Sequence, residues 1–384
     1  MRNNRARGKK TLFILCMVIL EAAVLCVLVE GILRVFTPPW LAYRMNKTKI
    51  TDKKVAYDSD SYAPKETRYI NGRFVSLAPF LRKKFAAYEY LCTVNTDEYG
   101  GRLTALAPTA QKDTRIVFMG DSFLLGLGAQ DAQTYVSLLG GRSPYRYLNL
   151  GVGGSTLVDQ IFIIQARHKE LGEPALYVFN FFIGNDFDEL IRGFYPQKRN
   201  EGISSFVAGV NYLCYDIPIF KKSYCLQFIR AKLLVLYNAC THGQRSDCIF
   251  FITDRGNQEY LKKACDSFDA ALKSLIEQSN RLRFKFIFVI VPDQHQIYPE
   301  LTSVNAQYYH CKLGNIDTEL PNRILREKLS ARNIPYIDPL ACFRAKGKNL
   351  YYHWDNHFTV KGHKEFADCI GPRLEEIISN MLAN

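Results

Sequence analysis

Short apolar runs recur along the chain from residue 115 onwards, and helix-like stretches separate them. Five of these runs are predicted to be buried strands: RIVFMG (115–120), RYLNLG (146–151), ALYVFNFF (175–182), FKFIFVIV (284–291) and IPYID (334–338). The helix-like stretches lie at about 131–141, 156–172, 257–282, 321–332 and 360–382. Because strands that alternate with helices form parallel sheets covered on both faces, the pattern predicts an α/β fold.

Residues 193–256 interrupt this alternation. The segment is rich in Tyr, Phe and Cys and contains the apolar stretch CLQFIRAKLLVLYN (225–238). We interpret it as an insertion that packs over or beside the sheet. A lid that binds an acyl chain or touches a membrane surface is the alternative interpretation.

A long apolar run follows a basic tail at the N-terminus. Residues 1–10 carry five cations, and the next 23 residues, 11–33, are long enough to cross the hydrocarbon core of a bilayer. The Leu, Ile, Val and Phe of this run favour insertion by about 4 to 8 kcal/mol, against about 3 kcal/mol for Glu21 near its centre. No small-x-small cleavage site follows the run, so we predict an uncleaved transmembrane anchor and not a signal peptide.

The net charge of +13 is concentrated at this end of the chain. Residues 1–54 contain eleven Lys and Arg and three acids, a net charge of +8, which leaves +5 for residues 55–384. Positive and negative charges in the body of the protein are therefore nearly equal in number. The net charge gives little reason to predict a nucleic-acid-binding surface there. Five cations precede the apolar run and six follow it. The positive-inside rule therefore does not predict which end of the helix faces the cytoplasm. Residues 34–89 are predicted to be a juxtamembrane linker and lead-in.

The cysteine pattern leaves the redox state open. Nine of the eleven cysteines lie outside the apolar run, an odd number that precludes complete pairing within the chain. Cys240 and Cys248 bracket a short polar loop, and Cys214 and Cys225 are similarly spaced. One or two disulfides and buried free thiols are both compatible with this pattern.

Candidate catalytic residues follow the predicted strands. In parallel sheets the ligand site lies at the carboxyl ends of the strands. Ser122 follows the first strand in GDSF, Gly154 follows the second in NLGVGGST, and Asn185 follows the third in GND. A serine there can be a nucleophile, and backbone or amide N–H groups can stabilise an oxyanion, although each motif taken alone is also an ordinary turn.

A histidine and an aspartate precede the last predicted helix, in HWDNHFT (353–359). Residues two apart in an extended segment project to the same side, so Asp355 can orient the ring of His357 while the other ring nitrogen faces Ser122. This is the arrangement of nucleophile, base and orienting acid in serine catalysis. His363, further along, is expected to be exposed on the helix.

Together the four motifs resemble the four sequence blocks of the SGNH, or GDSL-type, hydrolase superfamily. They are GDSF (120–123), NLGVGGST (149–156), GND (184–186) and DNH (355–357). The similarity covers about residues 90–384, and VNTDEYGGR (94–102) resembles the segment that precedes the serine block in membrane-anchored members. The spacing D-x-H differs from the more common D-x-x-H and resembles the alginate O-acetyltransferase-like branch.

The resemblance implies a three-layer α/β/α sandwich with a mainly parallel sheet. It implies that Ser122 is the nucleophile, that His357 is the base and that Asp355 orients it. The oxyanion hole would consist of the backbone N–H groups of Ser122 and Gly154 and the side chain of Asn185. The α/β-hydrolase motif G-x-S-x-G is absent around Ser122, which disfavours that fold.

Two further polar residues follow the fourth strand. Asp293 and His295 are candidates for the lining of a substrate pocket, since they come at the same edge of the sheet. A metal site that also includes His353 and His357 is disfavoured, because the chain has no HExxH and no paired CxxC. No cofactor is expected.

The sequence thus predicts an extracytoplasmic serine esterase, tethered by one helix, that hydrolyses an O-acyl ester through an acyl-enzyme. The membrane-anchored relatives are the precedent for placing the body outside the cytoplasm, where O-acylated envelope carbohydrate or lipid would be the substrate. An O-acyltransferase that modifies envelope polysaccharide would use the same residues. A non-catalytic carbohydrate-binding or scaffolding protein is the third hypothesis, and the complete set of site residues argues against it.

Overall fold

A computed structural model describes residues 2–38, 41, 66–86, 89–108, 110–192, 222–241, 248–308, 312–353 and 355–383. The chain forms two compact units. A helical unit comprises Met1–Lys53 and Lys198–Arg245, and a sheet unit comprises Lys54–Gln197 and Ser246–Asn384. Trp354 of the HWDNHFT motif, Cys214 and most of the predicted insertion lie outside the described residues.

Helices and strands follow one another along the chain. The first half contains α1 (Arg2–Val35), β1 (Thr67–Ile70), β2 (Arg73–Leu77), β3 (Arg82–Ala86), β4 (Leu91–Asn95), β5 (Gln111–Gly120), α2 (Ser122–Leu125), α3 (Tyr135–Gly140), β6 (Tyr145–Gly151), α4 (Leu157–Arg167), β7 (Leu176–Phe182) and α5 (Asp186–Arg192). The second half contains α6 (Tyr224–Thr241), α7 (Cys248–Thr253), α8 (Gln258–Leu282), β8 (Lys285–Val291), α9 (Gln294–Ile297), α10 (Pro299–Tyr308), α11 (Leu320–Ser330), β9 (Tyr336–Ile337), α12 (Leu340–Ala345) and α13 (Val360–Ala383).

A five-stranded sheet in the order β6-β5-β7-β8-β9 forms the centre of the sheet unit. Every pair of neighbouring strands in it is parallel. All seven residues of β7 are buried, which explains why six of them are apolar. The five strands predicted from residues 115 to 338 are therefore confirmed, although β9 is only two residues long.

Helices cover both faces of this sheet. Alternate side chains of a strand point to opposite faces, so Val117 and Met119 of β5 join one apolar cluster while Ile116 and Phe118 join another. The first cluster is completed by residues of α4, α5, α7, α8 and α11. The second is completed by residues of α3, α12 and α13. The sheet unit thus has helix, sheet and helix layers.

Two antiparallel hairpins precede the parallel sheet. Strand β1 pairs with β2, and β3 pairs with β4. Residues 67–86 belong to the segment that the sequence assigned to a linker and lead-in, and they are folded as part of the sheet unit. Phe85 and Val94 are almost fully buried in a small apolar cluster with Leu125, which follows the first strand of the main sheet.

The described part of the helical unit contains α1 and α6. Glu30 on α1 accepts hydrogen bonds from the hydroxyl of Ser223 and the backbone N–H of Cys225, both at 2.8 Å, at the start of α6. In the part of the chain that the structure describes, no helix combines the length and apolar character needed to cross a membrane. The anchor over residues 11–33 stays a prediction.

A disulfide joins Cys342 on α12 to Cys369 on α13. The two residues are 27 positions apart, and the cysteine spacing did not predict that they pair. Cys225, by contrast, is a buried free thiol. The crosslink connects the two helices on either side of the loop that carries Asp355 and His357.

His363 on α13 is only 1% exposed, contrary to the expectation that it would face solvent. Its Nδ1 accepts the backbone N–H of Tyr135 at 3.4 Å, and the two rings stack. Burial among α3 and α13 side chains lowers the pKa of His363 to about 3. The folded protein therefore holds this side chain neutral.

We expect His363→Asn to make the protein less sensitive to acid. The unfolded chain binds a proton at His363 near pH 6.5 and the folded chain does so only near pH 3, so acidification between these values destabilises the fold. At pH 4.5 the effect is about 3 kcal/mol. Urea unfolding at pH 7.5 and 4.5 should show the wild type losing more stability than the variant. Equal losses of stability in the two proteins would contradict the assignment of a low pKa to His363. The difference in their free energies of unfolding at pH 7.5 measures the effect of the substitution on packing alone.

Candidate active site

Ser122 lies at the carboxyl end of β5, where the chain turns into α2. Asp121 caps this short helix, and its carboxylate accepts the backbone N–H of Phe123 at 2.9 Å. A side chain at Gly120 would come within 2.9 Å of Leu124, so the turn requires glycine. The hydroxyl of Ser122 is thereby placed at the edge of the sheet where the sequence predicted it.

The glycine-rich segment after β6 lies beside this turn. Ser155 Oγ and the backbone N–H of Val152 both donate to the carbonyl of Gly120, at 2.9 and 3.0 Å. A β-carbon built on Gly153 would lie 4.0 Å from that of Ser122. Gly154, the next residue, has a φ of 72°, in the left-handed region that favours glycine. The two strand-end loops therefore form one surface around Ser122.

His357 and Asp355 complete a linear array with Ser122. The distance from His357 Nε2 to Ser122 Oγ is 2.8 Å, and His357 Nδ1 is hydrogen-bonded to Asp355 Oδ1. The backbone N–H of His357 also donates to Asp355 Oδ1, at 3.1 Å. The loop is closed on itself by a 3.0 Å bond from the N–H of Tyr352 to the carbonyl of His357. The structure thus brings together the three residues predicted to be catalytic.

The electrostatic environment suits a charged aspartate next to a histidine. Burial tends to raise the pKa of Asp355, but hydrogen bonds from His357 and Tyr90 outweigh it and lower that pKa. Asp121, which precedes Ser122, is 2% exposed, and burial raises its pKa to about 6 although a backbone hydrogen bond from Phe123 and the charge of His357 work in the opposite direction. Of these two acids, Asp355 is the one whose ionised form the site favours.

Asn185 follows β7 and is anchored by a glutamate. Its Nδ2 donates to Glu189 Oε1 at 2.7 Å, while its Oδ1 is buried without a hydrogen-bond partner among the described residues. Burial and the charge of Asp121 raise the pKa of Glu189 to about 8. An amide nitrogen carries two hydrogens, so one can serve Glu189 and the other a bound oxygen. The sequence had not identified Glu189.

Asp293 and His295 lie in the protein interior. Asp293 caps α9 and bonds Nδ1 of His295 at 2.6 Å, and Asn305 lies 2.8 Å from His295 Nε2. Each of the first two residues is 2% exposed. These contacts tie the two side chains to each other and to Asn305, and their place in the lining of a substrate pocket stays a prediction.

No group of three or more His, Cys, Asp or Glu within the described ranges is arranged to hold a metal ion. The nitrogens of His357 are committed to Ser122 and Asp355, and those of His295 to Asp293 and Asn305.

Arg102 supports the turn that follows α2, a role that the sequence did not reveal. The side chain is fully buried and its guanidinium donates to the carbonyls of Leu125, Gly126 and Ala129, at 2.8, 2.6 and 2.5 Å. It also pairs with Asp131 at 2.8 Å. Its position in VNTDEYGGR was the available signal. One arginine thus holds the segment from Leu125 to Asp131 next to the nucleophile.

Comparisons with known proteins reveal similarity to solved structures only. No protein-family model matches the chain, and no curated protein does. An acetylxylan esterase from Geobacillus stearothermophilus, in a catalytic-mutant form, is 16% identical, with coverage of 68% of this chain and 94% of its own and a TM-score of 0.35. An esterase from Pseudoalteromonas is 13% identical, with coverage of 69% and 99% and a TM-score of 0.35.

A member of the lipolytic protein G-D-S-L family from Veillonella parvula is 12% identical, with coverage of 67% of this chain and 96% of its own and a TM-score of 0.33. Identities and TM-scores this low do not assign the chain to a family. The parallel sheet with helices on both faces is an α/β fold. What the site can do chemically is therefore argued from its own geometry.

Proposed function

We propose that this protein is a serine esterase of SGNH/GDSL type that hydrolyses an O-acyl ester through an acyl-enzyme on Ser122. The observation that carries the proposal is the array in which His357 bonds Ser122 at 2.8 Å through Nε2 and Asp355 through Nδ1. A nucleophile bonded to a base that is itself oriented by an acid is the arrangement required for nucleophilic catalysis.

The first half-reaction forms the acyl-enzyme. Ser122 Oγ attacks the ester carbonyl carbon while His357 Nε2 takes its proton, and Asp355 stabilises the imidazolium that results. The tetrahedral intermediate then collapses, the bond to the alcohol oxygen breaks, and His357 returns the proton to the departing alcohol. In the second half-reaction water attacks the acyl carbon while His357 Nε2 takes a proton from the water. The bond between the acyl carbon and Ser122 Oγ then breaks, His357 returns the proton to Oγ, and the carboxylic acid leaves.

Three donors are proposed to stabilise the oxyanion of each tetrahedral intermediate. They are the backbone N–H groups of Ser122 and Gly154 and the second amide hydrogen of Asn185. Proximity of the glycine-rich loop to Ser122 and the anchoring of Asn185 by Glu189 support this assignment. Donors that are fixed before the reaction need no reorganisation when charge develops.

The finer identity of the enzyme is part of the proposal. The D-x-H spacing of Asp355 and His357 favours an O-acyltransferase as the second candidate, in which a sugar hydroxyl replaces water in the second half-reaction. The Cys342–Cys369 disulfide supports an oxidising compartment, since such bonds are rare in cytosolic proteins. Together with the predicted anchor at residues 11–33, this favours a membrane-tethered enzyme that faces outwards and acts on acylated envelope carbohydrate or lipid.

Incubation of the full chain with an activated acetyl ester, with and without oligosaccharide acceptors, tests this proposal. We expect acetate release, and covalent labelling by a fluorophosphonate on the peptide that contains Ser122. Acetylation of the oligosaccharide that outpaces acetate release would favour the acyltransferase. If neither turnover nor labelling occurs, the non-catalytic carbohydrate-binding or scaffolding hypothesis replaces both.

A further inference from the structure

Glu89 lies against the loop that carries the proposed catalytic acid and base. One oxygen of its carboxylate accepts the backbone N–H of His353 at 2.8 Å, and the other accepts the backbone N–H of Asp355 at 2.9 Å. Hydrogen bonds from N–H groups to a carboxylate are stronger than those between neutral groups. The side chain of Glu89, which precedes β4, therefore binds the backbone of the catalytic loop at two points.

Tyr90 contacts the catalytic acid directly. Its hydroxyl donates to Asp355 Oδ2 at 3.2 Å, while Asp355 Oδ1 accepts both bonds from His357. The torsion that rotates a carboxylate is broad and has no sharp preferred angle. A carboxylate held at both oxygens cannot rotate away from the imidazole without losing a hydrogen bond.

The ring of Tyr90 is itself held in place. It packs against the ring of Tyr352 with the centroids 4.9 Å apart, and the hydroxyl of Tyr352 donates to the carbonyl of Gly128 at 2.8 Å. Gly128 belongs to the segment after α2 that Arg102 supports. The contacts of Tyr90 therefore connect the acid of the site with the turn that follows its nucleophile.

We propose that Glu89 and Tyr90 are positioning residues that hold Asp355 in register with His357, an inference that rests on the proposed function. Neither side chain touches Ser122 in the described contacts, so both act through the loop and the acid. Other titratable groups that are electrostatically coupled to His357 or Asp355 are Asp121, Cys92, Tyr352 and His363. The substitutions below leave all four unchanged.

Tyr90→Phe keeps the ring and removes only the hydroxyl. Since a hydrogen bond to a charged group is worth at least a tenfold change in an equilibrium or a rate, we expect kcat for an activated ester to fall by about 10-fold, with KM within about 2-fold of the wild type. Tyr336→Phe is the matched control, because its hydroxyl lies on β9 and bonds Ser330. It should leave kcat unchanged.

A double-mutant cycle separates positioning from general stabilisation. In Asp355→Ala protein, which should retain measurable activity above the uncatalysed rate, Tyr90→Phe has no carboxylate to act through. Its effect on kcat should then fall below about 2-fold. An equal fall of kcat in both backgrounds, or no fall in the wild-type background, would overturn the role of Tyr90.

Glu89→Gln tests the two hydrogen bonds that the Glu89 carboxylate accepts from the backbone of the catalytic loop. Glutamine keeps one acceptor oxygen but presents an amide group to the second N–H, so one of the two loop bonds is lost. We expect kcat to fall by about 10-fold and KM to change little. A fall confined to KM would mean that Glu89 shapes substrate binding, and the positioning role would be rejected.

A spectroscopic measurement keeps this inference separate from the proposed function. The proton resonance of His357 Hδ1 reports the bond to Asp355 whether or not any ester is hydrolysed, and Asp355→Ala identifies it by its loss. Tyr90→Phe and Glu89→Gln should shift the resonance, and Tyr336→Phe should not. If the wild type hydrolyses no ester, the proposed function fails while this readout still decides the positioning role. An unshifted resonance in both variants would overturn the inference.

Discussion

Ser122→Ala is expected to lower kcat for ester hydrolysis by about 10⁴-fold or more. The variant removes the atom that forms the acyl-enzyme, while His357 and Asp355 keep their own hydrogen bond. Initial rates with an activated acetyl ester, followed until the uncatalysed rate limits detection, measure this loss. Fluorophosphonate labelling should disappear in the same variant.

Two companion variants sharpen the result. His357→Ala should cost about as much as Ser122→Ala, and the double variant should be hardly worse than either, because residues that act as a unit show non-additive effects. Ser303→Ala is the control, since its exposed hydroxyl donates to the carbonyl of Pro299 within its own helix. Activity that survives in Ser122→Ala would show that another residue is the nucleophile.

Arg102→Met is expected to lower the free energy of unfolding by about 3 to 5 kcal/mol. The substitution leaves Asp131 without its arginine and several buried carbonyls without their donor. Since most domains are stable by only about 5 to 15 kcal/mol, this is a large fraction of the total. Urea unfolding followed by circular dichroism gives the value.

Arg142→Met is the matched control for that loss. Arg142 pairs with Asp368 at 2.9 Å, but its side chain is 59% exposed, and exposed ion pairs contribute about 1 kcal/mol or less. Because Arg102 holds the segment next to Ser122, its variant should also lose esterase activity under conditions where it is still folded. Equal costs for the two arginines would show that the buried network contributes little.

The central sheet could be predicted from the sequence because a strand that is buried on both faces is largely apolar along its whole length. Strands such as β7 and β8 appear as largely apolar runs, and the polar residues that follow them stand out. Ser122, Asn185 and the pair Asp355 and His357 were found in this way, at the ends of strands or before the last helix. Loop chemistry at a sheet edge is encoded in a few adjacent residues.

The residues that support the site could not be predicted from the sequence, because nothing near them in the sequence indicates their role. Glu89 and Tyr90 fell in or at the border of a presumed lead-in, and they contact a loop some 265 positions away. His363 was predicted to be exposed because the sequence pattern of α13 does not show which face of the helix packs against Tyr135. Cys342 and Cys369 carry no spacing signal.

The sequence by itself determined that strands and helices alternate along the chain from residue 115 onwards, and which residues stand at the strand ends. Only the tertiary structure decided which of those residues meet. Ser122 and His357 are 235 positions apart, and their 2.8 Å contact exists because parallel pairing and the packing of α13 bring both loops to one edge of the sheet. Local propensity and burial act on neighbouring residues, whereas contacts across hundreds of residues depend on how complete layers pack.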